Sequence, residues 1–273
     1  MDLTNVDDLR TALGLAGISP DTTQDQHFLV DRVALDAIVE AADLSADDVV
    51  LEIGSGVGTL TAELVARAGR VIAVELDADL GEIVQRAEYP HLELHRQDFR
   101  RFDLSILPAR YKVVANLPYG ITSLALQKLL DSDHRPQSLT LLVQREVAER
   151  ICARPGQMSI LALSVQYFGH PQIIATVPAD SFYPPPRVDS AILQIDVFDR
   201  PAVDVAARDL FRLIKIGFSA RRKMLKNNLT GAFQKSPSQI EAILVQAEIS
   251  PTARAQELSL DDWARLQQSL KST

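Results

Sequence analysis

The chain has a single cysteine, Cys152, among 273 residues. No internal disulfide can form, and no cysteine or histidine grouping has zinc-ligand spacing. It also lacks an apolar run long enough to span a bilayer. Its first residues, "MDLTNVDDLR", carry acids where a secretory or mitochondrial leader carries bases. A cytoplasmic protein without membrane contact is expected. Positive charge is scarce overall: 28 Lys and Arg stand against 36 Asp and Glu, a formal net charge of −8. The deficit is uneven. From Arg200 onward there are 12 Lys and Arg against 7 Asp and Glu, a balance of +5, which leaves −13 to the first 199 residues. Such asymmetry hints at a phosphate-facing surface on the C-terminal part of an otherwise acidic chain. No internal repeat stands out, and 47% hydrophobic content suffices for one large domain, or one plus a small one.

What is present is an alternation. "DRVALDAIVEAADL" has apolar residues at helical spacing. After it, β-rich runs ("DVVLEIG", "RVIAVEL", "LELHRQD", "YKVVANL", "SLTLLVQ") alternate with helical stretches ("TLTAELVARAG", "ADLGEIVQRAE", "SLALQKLLDS"). Strand and helix in alternation imply a parallel sheet wrapped by helices. "QIIATVPADSFYPPPRVDSAILQIDV" holds two β-rich runs around a proline-rich connection, as in an antiparallel pair at a sheet edge. "FDRPAVD" reads as a linker, and the remainder is helical throughout, including "RRKMLKNNLTGAF". The expected organisation is an N-terminal arm (1–23), an α/β domain (24–198) and a helical domain (199–273).

Chemistry-bearing residues gather at the expected strand ends. The first strand runs into "EIGSGVGTL", with Gly54, Gly56 and Gly58 where a backbone must turn sharply and approach a ligand before a helix begins. The spacing does not fit a dinucleotide fingerprint, and a tight connection alone could look the same. Glu75 ends the second strand, where a carboxylate accepts from ribose hydroxyls and repels a ribose phosphate. Asp98 closes the third, placed to accept from the exocyclic amine of an adenine. Three successive strand ends with suitable groups point to a nucleoside without a pyrophosphate, and S-adenosylmethionine fits best. The fourth strand ends in "NLPYGITS". A base's exocyclic amine is a poor nucleophile because its lone pair is delocalised. Acceptors for its two hydrogens, here the Asn116 side-chain carbonyl and the Leu117 backbone carbonyl, favour a more tetrahedral nitrogen. Pro118 fixes the turn without a competing N–H, and Tyr119 offers a face on which an extruded base can stack. The proton of the methylated amine can leave to solvent.

Five motifs in order, "QHFLVD", "EIGSGVGTLT", "NLPYGITS", "FYPPPRVDSA" and "FSARRKMLKNNL", resemble those of the small-subunit ribosomal RNA adenine dimethyltransferase family, over about residues 24–270. The resemblance implies a Rossmann-like class I methyltransferase sheet with a small C-terminal helical domain. The implied reaction carries methyl groups from S-adenosylmethionine to two adjacent adenines, giving N6,N6-dimethyladenine. It implies cofactor contacts at His27, Leu29, Gly54, Glu75, Asp98 and Asn116, and a base held at Asn116, Leu117 and Tyr119 with Phe182 on its other face. The basic residues Arg221, Arg222, Lys223 and Lys226, expected within two helical turns, would contact phosphates and set register on a folded RNA. The implied partner is small-subunit rRNA or an immature small subunit, met by a monomer. The chain departs from the family in "SPDTTQDQHFL": the usual basic residues are missing, and Asp25 stands where a glycine would fall, a residue type that tolerates unusual backbone angles. Rival readings are a large-subunit rRNA adenine methyltransferase of the antibiotic-resistance type and a ribosome-assembly factor with reduced catalysis. A DNA adenine methyltransferase and a nicotinamide dehydrogenase fit less well, for want of a sequence-reading domain and of the right glycine spacing.

Overall fold

The computed structural model describes residues 1–220 and 222–272. The chain folds as two compact units. The first comprises Met1–Ala148 and Pro171–Val197, and the second Glu149–His170 and the residues from Phe198 onward.

In the first unit the elements run α1 (Val6–Ala16), β1 (Phe28–Leu29), α2 (Arg32–Ala42), β2 (Val49–Ile53), α3 (Thr59–Val65), β3 (Arg70–Glu75), α4 (Ala78–Arg86), β4 (Leu92–Arg96), β5 (Lys112–Asn116), α5 (Thr122–Leu130) and β6 (Ser138–Gln144). Two helices, α6 (Arg145–Ile151) and α7 (Ile160–Phe168), come next, then β7 (Gly169–Val177), β8 (Phe182–Tyr183) and β9 (Ser190–Val197). Seven strands form one sheet in the order β4-β3-β2-β5-β6-β9-β7. The first five are mutually parallel, and β9 runs antiparallel to β6 with Leu141 opposite Leu193. Strands covered on both faces are apolar without alternation. Val113, Val114 and Ala115 of β5 are all fully buried, as are Leu139, Leu141, Leu142 and Val143 of β6.

Helix starts follow from local chemistry. Asn5, Asp31 and Asp77 each accept backbone N–H bonds as N-caps of α1, α2 and α4, satisfying donors that have no intrahelical partner. The amphipathic face of α2 (Leu35, Ile38, Val39, Ala42) packs into a core cluster with Leu64, Val114, Leu142 and Ile192. Helix α1, which the sequence pattern does not mark, buries Leu9 and Leu13 with Phe28, Val57 and Leu80. Apart from the main sheet, β1 and β8 pair antiparallel, Phe28 with Tyr183 and Leu29 with Phe182.

The second unit is helical: α8 (Ala207–Gly217), α9 (Leu225–Phe233), α10 (Pro237–Gln246) and α11 (Leu260–Lys271) pack together and take in α7. Ser236 and Ser259 form capping boxes with Gln239 and Asp262. Residues 149–170, expected from sequence within the α/β domain, group here for identifiable reasons. The Gly156 and Met158 N–H groups donate to the Gln256 carbonyl at 2.9 and 3.0 Å, and the Tyr167 hydroxyl donates to the Val205 carbonyl at 2.8 Å. No described helix is long and apolar enough to cross a membrane.

Trp263 is fully buried and stacks on Phe218 with ring centroids 6.1 Å apart. Its ring packs so closely on Gly217 that a Cβ there would lie 2.3 Å from Trp263 Cη2 and 2.9 Å from Leu225 Cδ1. Gly217→Ala is therefore expected to destabilise the helical unit by about 1–3 kcal/mol, the usual scale of overpacking. Chemical denaturation followed by tryptophan fluorescence reads this directly, because Trp263 is the only tryptophan.

Candidate active site

The strand order reverses between β2 and β5: the chain builds outward through β3 and β4, then returns to pair β5 on the other side of β2. In open α/β sheets ligands bind at such a reversal, outside the carboxyl ends of the strands. A pocket open to solvent lies there. It is lined by the glycine turn, Glu75 to Asp77, Asn116 to Tyr119 and the segment Gln24–Phe28.

The glycine turn meets the end of β5 at van der Waals distance. Gly54 has φ +79°, and a Cβ on it would stand 3.5 Å from Pro118 Cδ and 3.7 Å from the Asn116 carbonyl oxygen. Gly56 and Gly58 also have positive φ, and a Cβ on Gly56 would meet the Phe28 ring at 3.4 Å. Side chains here would fill the cradle. Glu75 is nearly buried, and each of its oxygens takes a backbone N–H: Oε2 from Gly56 at 2.8 Å and Oε1 from Asp77 at 2.9 Å. Burial outweighs these bonds and raises its pKa above the ordinary carboxylate value. Its remaining lone pairs suit a pair of hydroxyl donors, so the cradle and the acid fit a nucleoside.

Asn116 Nδ2 donates to the His27 carbonyl at 3.3 Å, which leaves Oδ1 as the amide's acceptor beside the pocket. The His27 ring stacks against Tyr119, centroids 6.0 Å apart at 28°. His27 Nδ1 lies 2.7 Å from the Pro184 carbonyl, an acceptor, so Nδ1 bears the proton. The Tyr119 hydroxyl is bonded to the Ser190 hydroxyl at 2.8 Å. Of the residues singled out from sequence, His27, Gly54, Glu75, Asn116, Leu117 and Tyr119 converge on this pocket. Leu29 lines a smaller adjoining recess with Ser55, Thr59 and Asn116.

Two of the expected residues are placed otherwise. Asp98 does not line the pocket: its Oδ1 accepts from the Arg100 N–H and its Oδ2 is ion-paired with the Arg100 guanidinium, which holds its carboxyl below the ordinary range. Phe182 is only 3% exposed and packs in the core cluster with Leu29 and Ile38. In this conformation it anchors its loop and presents no open face to a base. In the second unit, Arg222 and Lys223 are exposed but lie in a turn ahead of α9, not within it. Cations at a helix N-terminus oppose its dipole. Lys226 is ion-paired with Glu241 at 2.6 Å, and Arg221 lies outside the described residues.

Sequence reasoning passed over Glu52. It is fully buried in β2, accepts from the Thr61 hydroxyl at 2.7 Å, and its Oε1 has no partner among the described residues. The signal was an acid inside an otherwise apolar strand. Ser190, at the start of β9, gave no comparable signal.

The sequence profile described as "Ribosomal RNA adenine dimethylase" matches residues 21–272. The chain belongs to the ribosomal RNA adenine dimethylase family. Among its relatives, "Ribosomal RNA small subunit methyltransferase A" of Dehalococcoides mccartyi is 41% identical over 247 residues, 88% of this chain and 85% of its own. The protein of the same name from Nostoc sp. is 40% identical over 261 residues, 88% of this chain and 94% of its own. Among solved structures, a dimethyladenosine transferase from Plasmodium falciparum superposes with a TM-score of 0.75 at 26% identity, covering 90% of this chain and 98% of that one. The 23S rRNA methyltransferase ErmE gives a TM-score of 0.73 at 28% identity, covering 89% and 99%. The dimethylase family thus shares this chain's Rossmann-like sheet and its length.

Burial, with a smaller contribution from the nearby Glu75, pushes the Glu52 pKa up to about 8. The folded protein therefore keeps a proton that the unfolded chain loses near the ordinary carboxylate value. Stability is fully present below that value, falls as pH rises toward 8 and levels off above it, with a slope of at most about 1.4 kcal/mol per pH unit from this group. Glu75, raised in the same direction, adds to the decline. Urea unfolding of wild type and Glu52→Gln between pH 5 and 9 should show a flatter profile for the variant. An unchanged slope would place the titration elsewhere.

Proposed function

We propose that this protein transfers methyl groups from S-adenosylmethionine to the N6 amines of two adjacent adenines near the 3′ end of small-subunit rRNA, giving N6,N6-dimethyladenine. Family membership supports the class of reaction. The observation that carries the reading is the meeting of Gly54 with Asn116 and Pro118, which sets an amine-binding turn beside a nucleoside cradle.

When bound, S-adenosylmethionine supplies an electrophilic methyl group on a sulfonium. The residues suited to hold it are Glu75 on the ribose hydroxyls, the Gly54–Gly58 turn along the nucleoside, and His27 and Leu29 on the opposite wall. Asp98, expected to meet the adenine, is engaged by Arg100 and would have to give up that guanidinium first. Asn116 Oδ1 and the Leu117 carbonyl accept the two hydrogens of the target amine and orient its lone pair. With the methyl donor held there, these two acceptors would keep the amine's lone pair directed at it, and the turn's opening to solvent would let the amine's proton leave without a general base. Tyr119, pinned through Ser190 and backed by His27, gives the base a fixed face to stack on. On the helical unit, Arg222 and Lys223 are exposed where they can meet phosphate, whereas Lys226 must first give up Glu241. A cytoplasmic site of action and a monomer accord with this reading.

The small subunit is favoured over the large because the relatives at 40–41% identity carry the name of small-subunit methyltransferases; the two solved structures, at 28% for the 23S enzyme and 26% for the dimethyladenosine transferase, do not discriminate. Labelled S-adenosylmethionine, undermethylated small subunits and, in parallel, large subunits provide the test. Dimethyladenine should appear in small subunits only, and Asn116→Ala should lower the rate by about a hundredfold or more, the scale of losing one preorganised transition-state group. Label in large subunits would move the protein to the 23S class. No transfer to either particle, with particle binding intact, would make it a binding factor.

A further inference from the structure

The turn that carries the amine-binding residues has no cap of its own. Pro118, ahead of the 3₁₀ turn Tyr119–Ile121, and Ile121, ahead of α5, have no side chain that accepts a hydrogen bond. The first N–H groups of such a helix have no internal acceptor, and that end carries partial positive charge. The missing acceptor comes from 95 residues away: Asp25 Oδ2 takes the Gly120 N–H at 2.8 Å. Asp25 reaches it from a left-handed backbone conformation, φ 56° and ψ 31°, at the end of the 3₁₀ turn Thr22–Gln24. The adjoining Gln26 is fixed in turn: its Nε2 donates to Asp77 Oδ2 at 3.1 Å, and its Oε1 accepts from the Asp21 N–H at 2.8 Å. Tyr119 is thus held at both ends, its hydroxyl by Ser190 and the backbone beside it by Asp25.

We propose that Asp25 is a positioning residue for methyl transfer: its carboxylate caps the Tyr119–Gly120 turn from the segment that walls the cofactor pocket, so that closure of this wall and ordering of the amine-binding turn are one event. The inference rests on the reading that this pocket takes S-adenosylmethionine. It goes beyond that reading in coupling the cofactor wall to the acceptor side. Because linkage is reciprocal, a bound cofactor tightens the turn as much as an ordered turn tightens the cofactor.

Two substitutions separate the hydrogen bond from the backbone. Asp25→Gly keeps access to the left-handed conformation and deletes the acceptor, whereas Asp25→Asn keeps both. In the protein without cofactor, exchange of the Gly120 amide hydrogen should quicken about tenfold in Asp25→Gly and stay within about twofold of wild type in Asp25→Asn, as expected for loss and retention of a charged or amide cap. Calorimetry with S-adenosylhomocysteine should show weaker binding in Asp25→Gly only. Its kcat, taken per mole of enzyme that binds S-adenosylhomocysteine in the same calorimetric titration, should fall with little change in KM for the RNA substrate; counting only binding-competent enzyme removes any loss of folded protein. Asp25→Gly with wild-type exchange and affinity overturns the proposal, and so does Asp25→Asn impaired as much as Asp25→Gly. Failure of the wild type itself to bind S-adenosylhomocysteine would count against the cofactor assignment, while amide exchange would still decide the cap.

Discussion

Val50 lies opposite Lys112 and Leu51 opposite Val113 across two parallel strands, and that register carries Gly54 and Asn116 to the same level at the carboxyl edge of the sheet. Everything chemical in the first unit hangs on this pairing. A slip of one residue would exchange the two buried faces of β2 and β5, forcing the close-packed cores on both sides of the sheet to repack, and would separate the glycine turn from the amide it abuts. The fully apolar interior of β5 and the apolar residues flanking Glu52 in β2 make such a slip costly, so the site's geometry is guaranteed by the core beneath it. The backbone does most of the shaping: bare glycine backbone, a proline ring and carbonyl oxygens meet where side chains would collide.

Glu75 extends the same logic one strand outward. By taking the Gly56 and Asp77 N–H groups it ties the glycine turn to the start of α4, at the cost of a carboxylate held in a poorly solvated position. Glu52 lies deeper and has only Thr61 as a partner. Burial raises the proton affinity of both acids behind the glycine turn, and the Glu75 charge raises that of Glu52 further, so the part of the fold that shapes the pocket is also pH-sensitive.

The sheet, its helices and most strand ends were legible because period and punctuation agreed: the apolar cores of β2, β3 and β5 run into glycine, an acid and asparagine in turn. The convergence of Glu75, Asn116 and Tyr119 followed from the rule that parallel strands present their carboxyl ends together. Phe182 and Asp98 were less legible, since a motif gives residue type and order but not what a side chain does with its neighbours. Arg100, two residues on, engages Asp98, and the β1–β8 pairing turns Phe182 inward. Residues 149–170 attach to the helical unit through the Gln256 and Val205 carbonyls, and backbone acceptors leave no mark in composition. Helix α1 was not legible although Asn5 and two leucines at i, i+4 announced it, because its apolar stripe is narrow.

The β1–β8 ribbon consists of two residue pairs. Its Leu29 and Phe182 pack into the same core cluster as Val114 and Leu142 of the sheet, so this wall of the pocket is fastened to its floor by side chains more than by its ladder. An enzyme that places two methyl groups on each of two bases must exchange its donor repeatedly, and for such an enzyme a wall anchored in the core of the floor returns to the same shape at each turnover.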